Sequence, residues 1–320
     1  MVFQILAFIV SCIVLSWLSK SLVATLVQIA KYLEWREFIV GFFVMAFATS
    51  LPNLFVDINA ALHGLPQMAF GDVVGGNLID LTLVMALAVL SSKNGISTKS
   101  KMVQSSAIFT GFIAILPLLL IFDRSLSRID GLILLSTFFI YTFWIFSKQE
   151  NFQKVYDEGP KTKKTISPFW FLKNVVKLVF LLALLLASSF VIIDSAQFFS
   201  QTLGASIALV GILIVALGNC FPEIYFSIIS ARRGHGWMVL GDLMGSVIVC
   251  ATLVLGTIAL IAPFQITDFS PFLVARFFVL LAAAFYFFAI KTDRKVTKKE
   301  GLILLFIYII FLMIEVFLPS

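Results

Sequence analysis

Long apolar segments separated by short polar ones run along the whole chain. Clusters of charged residues, glycine and proline divide it into ten candidate helices, most of them as long as the roughly 20 residues that an α-helix needs to cross a bilayer. The pattern predicts an all-α membrane protein with ten transmembrane helices. The predicted helices cover residues 3–30, 38–62, 67–91, 102–122, 129–147, 170–200, 206–231, 237–262, 271–291 and 300–318.

The longest polar stretch, residues 148–169, divides these helices into two sets of five. It predicts a first five-helix unit over 1–147, a linker over 148–169 and a second five-helix unit over 170–320. Lysine and arginine concentrate in the linker and in every second loop, and the alternate loops hold few of them. Basic loops favour the cytoplasmic side of a membrane. We therefore expect a multi-pass plasma-membrane protein with both termini outside and the linker in the cytoplasm.

Composition narrows the class of protein further. The chain is 61% hydrophobic and 12% charged, whereas ordinary soluble domains are about 25% charged. The net charge of +6 comes from residues in short loops, so no nucleic-acid partner is expected. The three cysteines have neither a disulfide pattern nor metal-ligand spacing. Since HExxH and GxSxG motifs are also absent from the sequence, we expect neither an enzyme nor a bound cofactor.

The two halves contain a repeated pair of segments. The first copy reads GFFVMAFATSLPN at 41–53 and GDVVGGNLID at 71–80; the second reads GILIVALGNCFPE at 211–223 and GDLMGSVIVC at 241–250. The alternative, a coincidence of glycines that pack membrane helices, explains the shared spacing less well. One constant offset, called here the repeat shift, aligns Gly41 with Gly211, Ala46 with Ala216, Pro52 with Pro222, Gly64 with Gly234, Gly71 with Gly241, Asp72 with Asp242 and Gly75 with Gly245.

This repeat indicates a transporter. Five helices per half is an odd number, so the two copies must lie in opposite orientations, as in the inverted repeats of secondary transporters. In such proteins, matching helices interrupted by glycine and proline mark the substrate site near the bilayer midplane. Proline disrupts the preceding turn, and a desolvated cation is one group that satisfies the freed carbonyls.

The paired segments resemble the two alpha repeats of the calcium/cation antiporter superfamily, which includes the sodium/calcium exchangers. The likeness covers both repeats and the layout of ten helices in two halves. It implies discontinuous helices 2 and 7, with ion sites between them and helices 3 and 8. It also implies exchange of a cation, Ca²⁺ by family default, against Na⁺ or H⁺ by alternating access. The expected partners are thus inorganic cations and the lipid bilayer; the oligomeric state stays open.

The chain departs from the family's Gly-Thr/Ser-Ser-x-Pro-Glu core in both copies. In the first copy Thr49 and Ser50 match, but Asn53 stands where the family has a glutamate. In the second copy Glu223 matches, whereas Asn219 replaces a hydroxyl residue.

The family positions on helices 3 and 8 also differ. Asp80 and Cys250 occupy positions at which members place carboxamides or an occasional carboxylate, and Ser246 matches a family hydroxyl. Because Ca²⁺ takes six to eight oxygen ligands with carboxylates prominent, Asp80 is a candidate to restore the charge that is lost at Asn53. Asp57, four residues after Asn53 and on the same helical face, is another, unless it faces a partner helix or a vestibule.

Glu223 is the leading candidate ligand, because a carboxylate within a span is costly and by default functional. Its alternative is a helix-end glutamate. Asp80 lies in an apolar stretch without a nearby basic residue, which suits ion coordination or proton carriage. Asp72 and Asp242 are either helix-start carboxylates or part of the ion pathway. The full set of predicted ligands is Glu223, Asp80, Asn53, Thr49, Ser50, Asp57, Asn219, Ser246, Asp72 and Asp242.

The sequence thus predicts a secondary active cation exchanger. Two alternatives stay open: an exchanger for another cation such as Mg²⁺, Mn²⁺ or K⁺, and a transport-inactive membrane scaffold, for which Asn53 and Cys250 are the sequence argument.

Overall fold

A computed structural model describes residues 2–32, 45–147, 168–266, 270–292 and 294–317. The predicted linker therefore lies almost wholly outside the described residues, as does Gly41 of the first repeat. The helices are α1 Val2–Tyr32, α2 Met45–Leu62, α3 Pro66–Ser91, α4 Lys101–Leu120, α5 Arg128–Ser147, α6 Pro168–Leu203, α7 Ile207–Asn219, α8 Phe221–Arg232, α9 Gly236–Ile261, α10 Ser270–Lys291 and α11 Lys298–Phe317.

The chain is an all-α protein with membrane-spanning helices, as predicted. Among the described residues, eight helices are long and apolar enough to cross a membrane, and a ninth is added if α7 and α8, bent by 42° at their junction, form one span. The described part of α2 does not pass the same test. The count of ten spans in two halves therefore stays a prediction.

Small residues bring α3 close to α7. A Cβ added to Gly71 would lie 2.5 Å from the Ala208 carbonyl oxygen, and one added to Gly75 would lie 2.9 Å from the Ala216 Cβ. The equivalent helices of the other half, α9 and α2, cross in the same way. A Cβ on Gly245 of α9 would collide with Ala46 of α2. These glycines let two helix pairs approach to backbone contact, which is how small residues act in membrane helix packing.

Both α3 and α9 contain a π-helical segment at equivalent positions. Asp80–Val84 is π-helical in α3, and Val249–Val254 is π-helical in α9. In each segment a buried threonine bonds the carbonyl four residues earlier, Thr82 to Leu78 and Thr252 to Ile248, both at 2.5 Å. Since π-bulges are frequent at functional sites, they direct attention to Asp80 and Cys250.

Short strands join loops at the ends of the bundle. β1 (Ile96–Ser97) pairs antiparallel with β4 (Lys295–Val296), and β2 (Ser125–Leu126) pairs with β3 (Phe264–Gln265). In each pair, one strand comes from the first half of the chain and one from the second. Each pair therefore ties the two halves together at a loop, outside the buried helices.

The helices differ in how much of their surface other helices cover. The apolar spans are 83% buried at α3 and 78% at α9, but 28% at α5 and at α6. Large apolar side chains such as Phe143 and Phe180 are more than half exposed. In water so many exposed apolar groups would be unfavourable, so the surface formed by α5 and α6 suits contact with lipid, and α3 and α9 form the centre.

Candidate cation-binding site

The second repeat is broken where the sequence predicted a break. The chain leaves helical geometry at Cys220, with φ −81° and ψ 0°, and α8 begins at Phe221 with Pro222 in its first turn. Proline lacks the N–H that would continue the ladder of hydrogen bonds from α7. Glu223 follows in the first turn of α8 and is fully buried.

The first repeat is not broken in this way. α2 continues through Pro52, so the predicted discontinuity of helix 2 is wrong for the described residues. The Ser50 hydroxyl donates to the Ala46 carbonyl oxygen at 2.9 Å, and the single Thr49 hydroxyl proton is shared between that oxygen, at 3.1 Å, and the Asp242 carboxylate. Such side-chain bonds help a membrane helix to accommodate proline. The second repeat has Asn219 and Cys220 at the corresponding positions, and the helix ends there.

Two hydrogen bonds join the repeats across the centre of the bundle. Thr49 Oγ1 of α2 donates to Asp242 Oδ1 of α9 at 3.0 Å, and Asn219 Nδ2 at the end of α7 donates to Asp72 Oδ2 of α3 at 2.6 Å. The repeat shift aligns Thr49 with Asn219 and Asp72 with Asp242, so the two bonds join equivalent positions. The repeated residues therefore meet in equivalent pairs, each with one partner from either half of the chain.

Asp72 and Asp242 are not helix-start residues. α3 begins at Pro66 and α9 at Gly236, which places each aspartate in the second turn of its helix, buried among neighbouring helices. The interpretation as capping carboxylates is therefore wrong. Each one accepts a hydrogen bond from the other half instead.

A second pair of equivalent positions lies beside these bonds. Asn53 of α2 donates from Nδ2 to Cys250 Sγ of α9 at 3.5 Å. Their equivalents under the repeat shift are Glu223 of α8 and Asp80 of α3, and Asp80 is a charged neighbour of Glu223. The Asn53–Cys250 pair is thus neutral, whereas the Glu223–Asp80 pair carries two carboxylates. Ser246 lies next to Asp80.

The centre contains many buried oxygens without a hydrogen-bond donor. Asp57, Glu223 and Asp242 are 0% exposed, and Asp72 and Asp80 are 2% exposed. Buried charges need a partner or a metal ion. The oxygens that lack a donor are Asn53 Oδ1, Asp57 Oδ1 and Oδ2, Asn77 Oδ1, Asp80 Oδ1, Asn219 Oδ1, Glu223 Oε1 and Oε2, Ser227 Oγ, Asp242 Oδ2 and Ser246 Oγ.

Asp57 and Asn53 have different polar neighbours, although both lie on α2. The Asp57 carboxyl group is within hydrogen-bonding reach of the Asp72 carboxyl group, whereas Asn53 contacts Cys250. Across the described ranges, no three His, Cys, Asp or Glu side chains converge as ligands of one metal ion.

The predicted ligand set omits two residues of the central cluster. Cys250 is absent from the predicted ligands, yet it is the partner of Asn53. Ser227, the equivalent of Asp57 under the repeat shift, has a buried hydroxyl without a partner. Applying that shift to every polar residue, and not only to glycine, proline and aspartate, would have indicated both.

Comparisons with known proteins identify the family of the chain. The sodium/calcium exchanger protein family matches residues 3–147 and 173–317, so the chain belongs to that family. The chain is 24% identical to the sodium/calcium exchanger MaX1 of Methanosarcina acetivorans over 89% of its length and 91% of that protein. It is 25% identical to the inner membrane protein YrbG of Escherichia coli, over 71% of this chain and 70% of that one.

The fold is also that of a solved exchanger. The sodium-calcium exchanger NCX_Mj, from crystals soaked with Na⁺ and Sr²⁺, aligns over 98% of both chains with a TM-score of 0.67 and 24% identity. Membership of the calcium/cation antiporter superfamily is thus confirmed. The protein is a membrane exchanger of the cation-transporting class.

Proposed function

We propose that this protein is a secondary active transporter that exchanges Ca²⁺ for Na⁺ across the membrane. The observation that carries the proposal is the buried carboxylate pair, Glu223 with Asp80, beside a broken helix and without a hydrogen-bond donor on either Glu223 oxygen. Intramembrane carboxylates in such a setting mark ion pathways. The names of MaX1 and NCX_Mj, each a sodium/calcium exchanger, support the choice of ions.

In this proposal, the central site combines charged and neutral oxygens. Glu223 and Asp80 supply the charge, and the Asn53 amide oxygen, Ser246 and the hydroxyl residues of α2 supply neutral ligands. The Asn53 amide nitrogen is occupied by Cys250, so its oxygen is the atom left for an ion. Asp72 and Asp242 hold Asn219 and Thr49 in place across the halves.

Alternating access in two inverted halves is part of the proposal. The paired contacts that the repeat shift relates support it, since equivalent residues of the halves meet at one centre. The strand pairs support the alternation of loops between the two sides of the membrane. Both loops of the β1–β4 pair are predicted to be cytoplasmic, and both loops of the β2–β3 pair are predicted to be outside, so each pair joins loops that share a side.

The neutral Asn53–Cys250 pair favours a second candidate function. Asn53 and Cys250 stand where the other half has the acidic residues Glu223 and Asp80, so the site has fewer charges than one with acidic residues in both halves. A transport-inactive scaffold, or an exchanger for K⁺, Mg²⁺ or Mn²⁺, is compatible with this lower charge. H⁺ in place of Na⁺ is the corresponding alternative for the driving ion. The donor-free carboxylate oxygens count against the scaffold, since a protein without ions would keep these charges buried at a cost.

Transport by purified protein tests the proposal. Proteoliposomes with an imposed Na⁺ gradient, or an imposed H⁺ gradient, are assayed for uptake of Ca²⁺, Mg²⁺, Mn²⁺ and K⁺. The proposal expects Na⁺-driven Ca²⁺ uptake above that of empty liposomes. Uptake of another cation, or uptake driven by H⁺ alone, would show that the protein exchanges ions other than those proposed. Absence of any gradient-driven uptake would favour the transport-inactive scaffold.

A further inference from the structure

The ammonium group of Lys20 contacts an aromatic ring at the surface of the bundle. Lys20 Nζ on α1 is 3.3 Å from the ring centroid of Tyr225 on α8, which is the geometry of a cation–π contact. Lys20 is exposed, and Tyr225 is 46% exposed. The two side chains therefore meet in a surface groove between α1 and α8, called here the α1–α8 groove, and not at the buried centre.

The apolar span of α1 ends close to Lys20. This span covers Val2–Leu22, which is 21 residues and matches the roughly 20 residues that cross the hydrocarbon core. Trp17, three residues before Lys20 and on the same helical face, is 62% exposed. Exposed tryptophan and tyrosine are typical of the level at which hydrocarbon meets lipid headgroups. The groups around Lys20 therefore indicate that headgroups lie at this level of the α1–α8 groove.

α8 adds a second cationic side chain to the groove. Arg232 is exposed and follows Tyr225 by seven residues, which is two helical turns, so both lie on one face of α8. Arg232 leads into a loop that the sequence predicts to be cytoplasmic, and Lys20 lies towards the predicted cytoplasmic end of α1. Both cationic groups are thus on the side where membranes carry anionic lipids.

The chain provides no carboxylate partner for Lys20 within the described residues. There the Lys20 ammonium group contacts the Tyr225 ring and forms no ion pair. Glu223, two residues before Tyr225 on α8, is 0% exposed and belongs to the buried centre. A cationic group at the edge of the hydrocarbon core is unfavourable without a counter-charge. A lipid phosphate is a negative group that the membrane supplies at this level.

We propose that the α1–α8 groove binds one anionic phospholipid. Lys20 and Arg232 contact its phosphate group, since the two turns between Tyr225 and Arg232 span about 10 Å and both side chains are long. Phe221, 44% exposed and one turn before Tyr225 on α8, packs against an acyl chain. The proposal does not depend on which ions the protein exchanges.

Native mass spectrometry of the delipidated full chain in a non-ionic detergent tests the site. Phosphatidylglycerol and phosphatidylcholine with the same acyl chains are titrated in parallel. We expect the unchanged protein to bind one phosphatidylglycerol at least about tenfold more tightly than phosphatidylcholine. K20Q should remove most of this preference and R232Q should reduce it, whereas K20R, which keeps the charge, should retain it. K177Q, which removes an exposed lysine of α6, is the matched control and should leave the preference unchanged.

Three results would overturn the proposal. Equal affinity of the unchanged protein for the two lipids excludes recognition of the anionic headgroup. Equal losses in K20Q and K177Q indicate a general effect of surface charge. Displacement of phosphatidylglycerol by an equal concentration of soluble glycerol phosphate indicates a site for free phosphate.

A second measurement covers the case in which K20Q protein does not fold. Phosphatidylglycerol with a photoreactive group near its phosphate is cross-linked to the unchanged protein, and the labelled peptides are identified by mass spectrometry. Cross-links to α1 and α8 around Lys20 and Tyr225 support the groove. Cross-links confined to other helices contradict it.

Discussion

Asn219 donates a hydrogen bond of 2.6 Å to the Asp72 carboxylate, which fixes the broken end of α7 to α3. The equivalent contact, from Thr49 to Asp242, fixes α2 to α9. Because each bond has one partner in either half of the chain, the two repeats are held together where the candidate ion ligands meet. The geometry of the centre therefore depends on both bonds.

Asn219→Ala should destabilise the protein. The change leaves a buried carboxylate without its donor, and an unsatisfied buried group of this kind costs about 1–3 kcal/mol. The measurement is the free energy of unfolding in detergent, taken from denaturant titration. Asn174, whose amide bonds to the backbone of its own helix at the Trp170 carbonyl, is the control: Asn174→Ala should cost less. Equal losses for the two variants would show that the Asp72 contact has no special role.

Gly75→Ala should also destabilise the protein, whereas its neighbour should tolerate the same change. A Cβ on Gly75 would collide with the Ile212 carbonyl oxygen, but a Cβ on Gly76 would lie 3.7 Å from Cys220 Sγ, an ordinary contact. Overpacking of this kind typically costs about 1–3 kcal/mol. Thermal unfolding midpoints of the two variants in one detergent check the difference. A Gly75→Ala variant as stable as Gly76→Ala would contradict the close crossing of α3 and α7.

Much of this architecture could be predicted from the sequence, because apolar length and loop charge are local properties. The repeat shift and the break before Glu223 were also predictable. The continuity of α2 through Pro52 was not, since it depends on the hydroxyls of Thr49 and Ser50 bonding to a backbone oxygen. The two-residue strands are too short to leave a pattern.

The candidate site was predicted as a set of residues but not as pairs. A single sequence indicates which carboxylates are buried, yet their partners come from distant parts of the chain. Asp57 illustrates the difficulty: it shares a helical face with Asn53, but α3 supplies its neighbour, Asp72, whereas α9 supplies Cys250 to Asn53. Pairing of this kind depends on how the helices pack.

Asp80→Asn should lower cation uptake by at least about tenfold, which corresponds to about 1.4 kcal/mol. The reason is that Asp80 carries the charge that Asn53 does not. The double variant Asn53→Glu/Asp80→Asn restores the number of carboxylates and should regain part of the lost uptake. Initial rates of uptake in proteoliposomes are the measurement. Full activity of Asp80→Asn, or a double variant no better than the single one, would exclude Asp80 as the replacement charge.

A cysteine introduced in the linker should be protected from the outside. In a chain whose own three cysteines are changed to alanine, Lys163→Cys is treated in intact cells with a membrane-impermeant maleimide. The concentration of basic residues in the linker predicts a cytoplasmic position, so labelling should require permeabilised cells. Arg128→Cys, at the start of α5 on the side predicted to lie outside, is the matched control and should be labelled in intact cells. The reverse pattern would invert the proposed orientation.

The central claim is that Glu223 binds the transported cation. The most direct test compares Na⁺-gradient-driven Ca²⁺ uptake by proteoliposomes containing the unchanged protein with uptake by Glu223→Gln, which keeps the side-chain size and removes the charge. Folding of both proteins is verified by their elution as single species in detergent. We predict clear uptake by the unchanged protein and none above empty liposomes for Glu223→Gln. Equal uptake by the two proteins would contradict the claim.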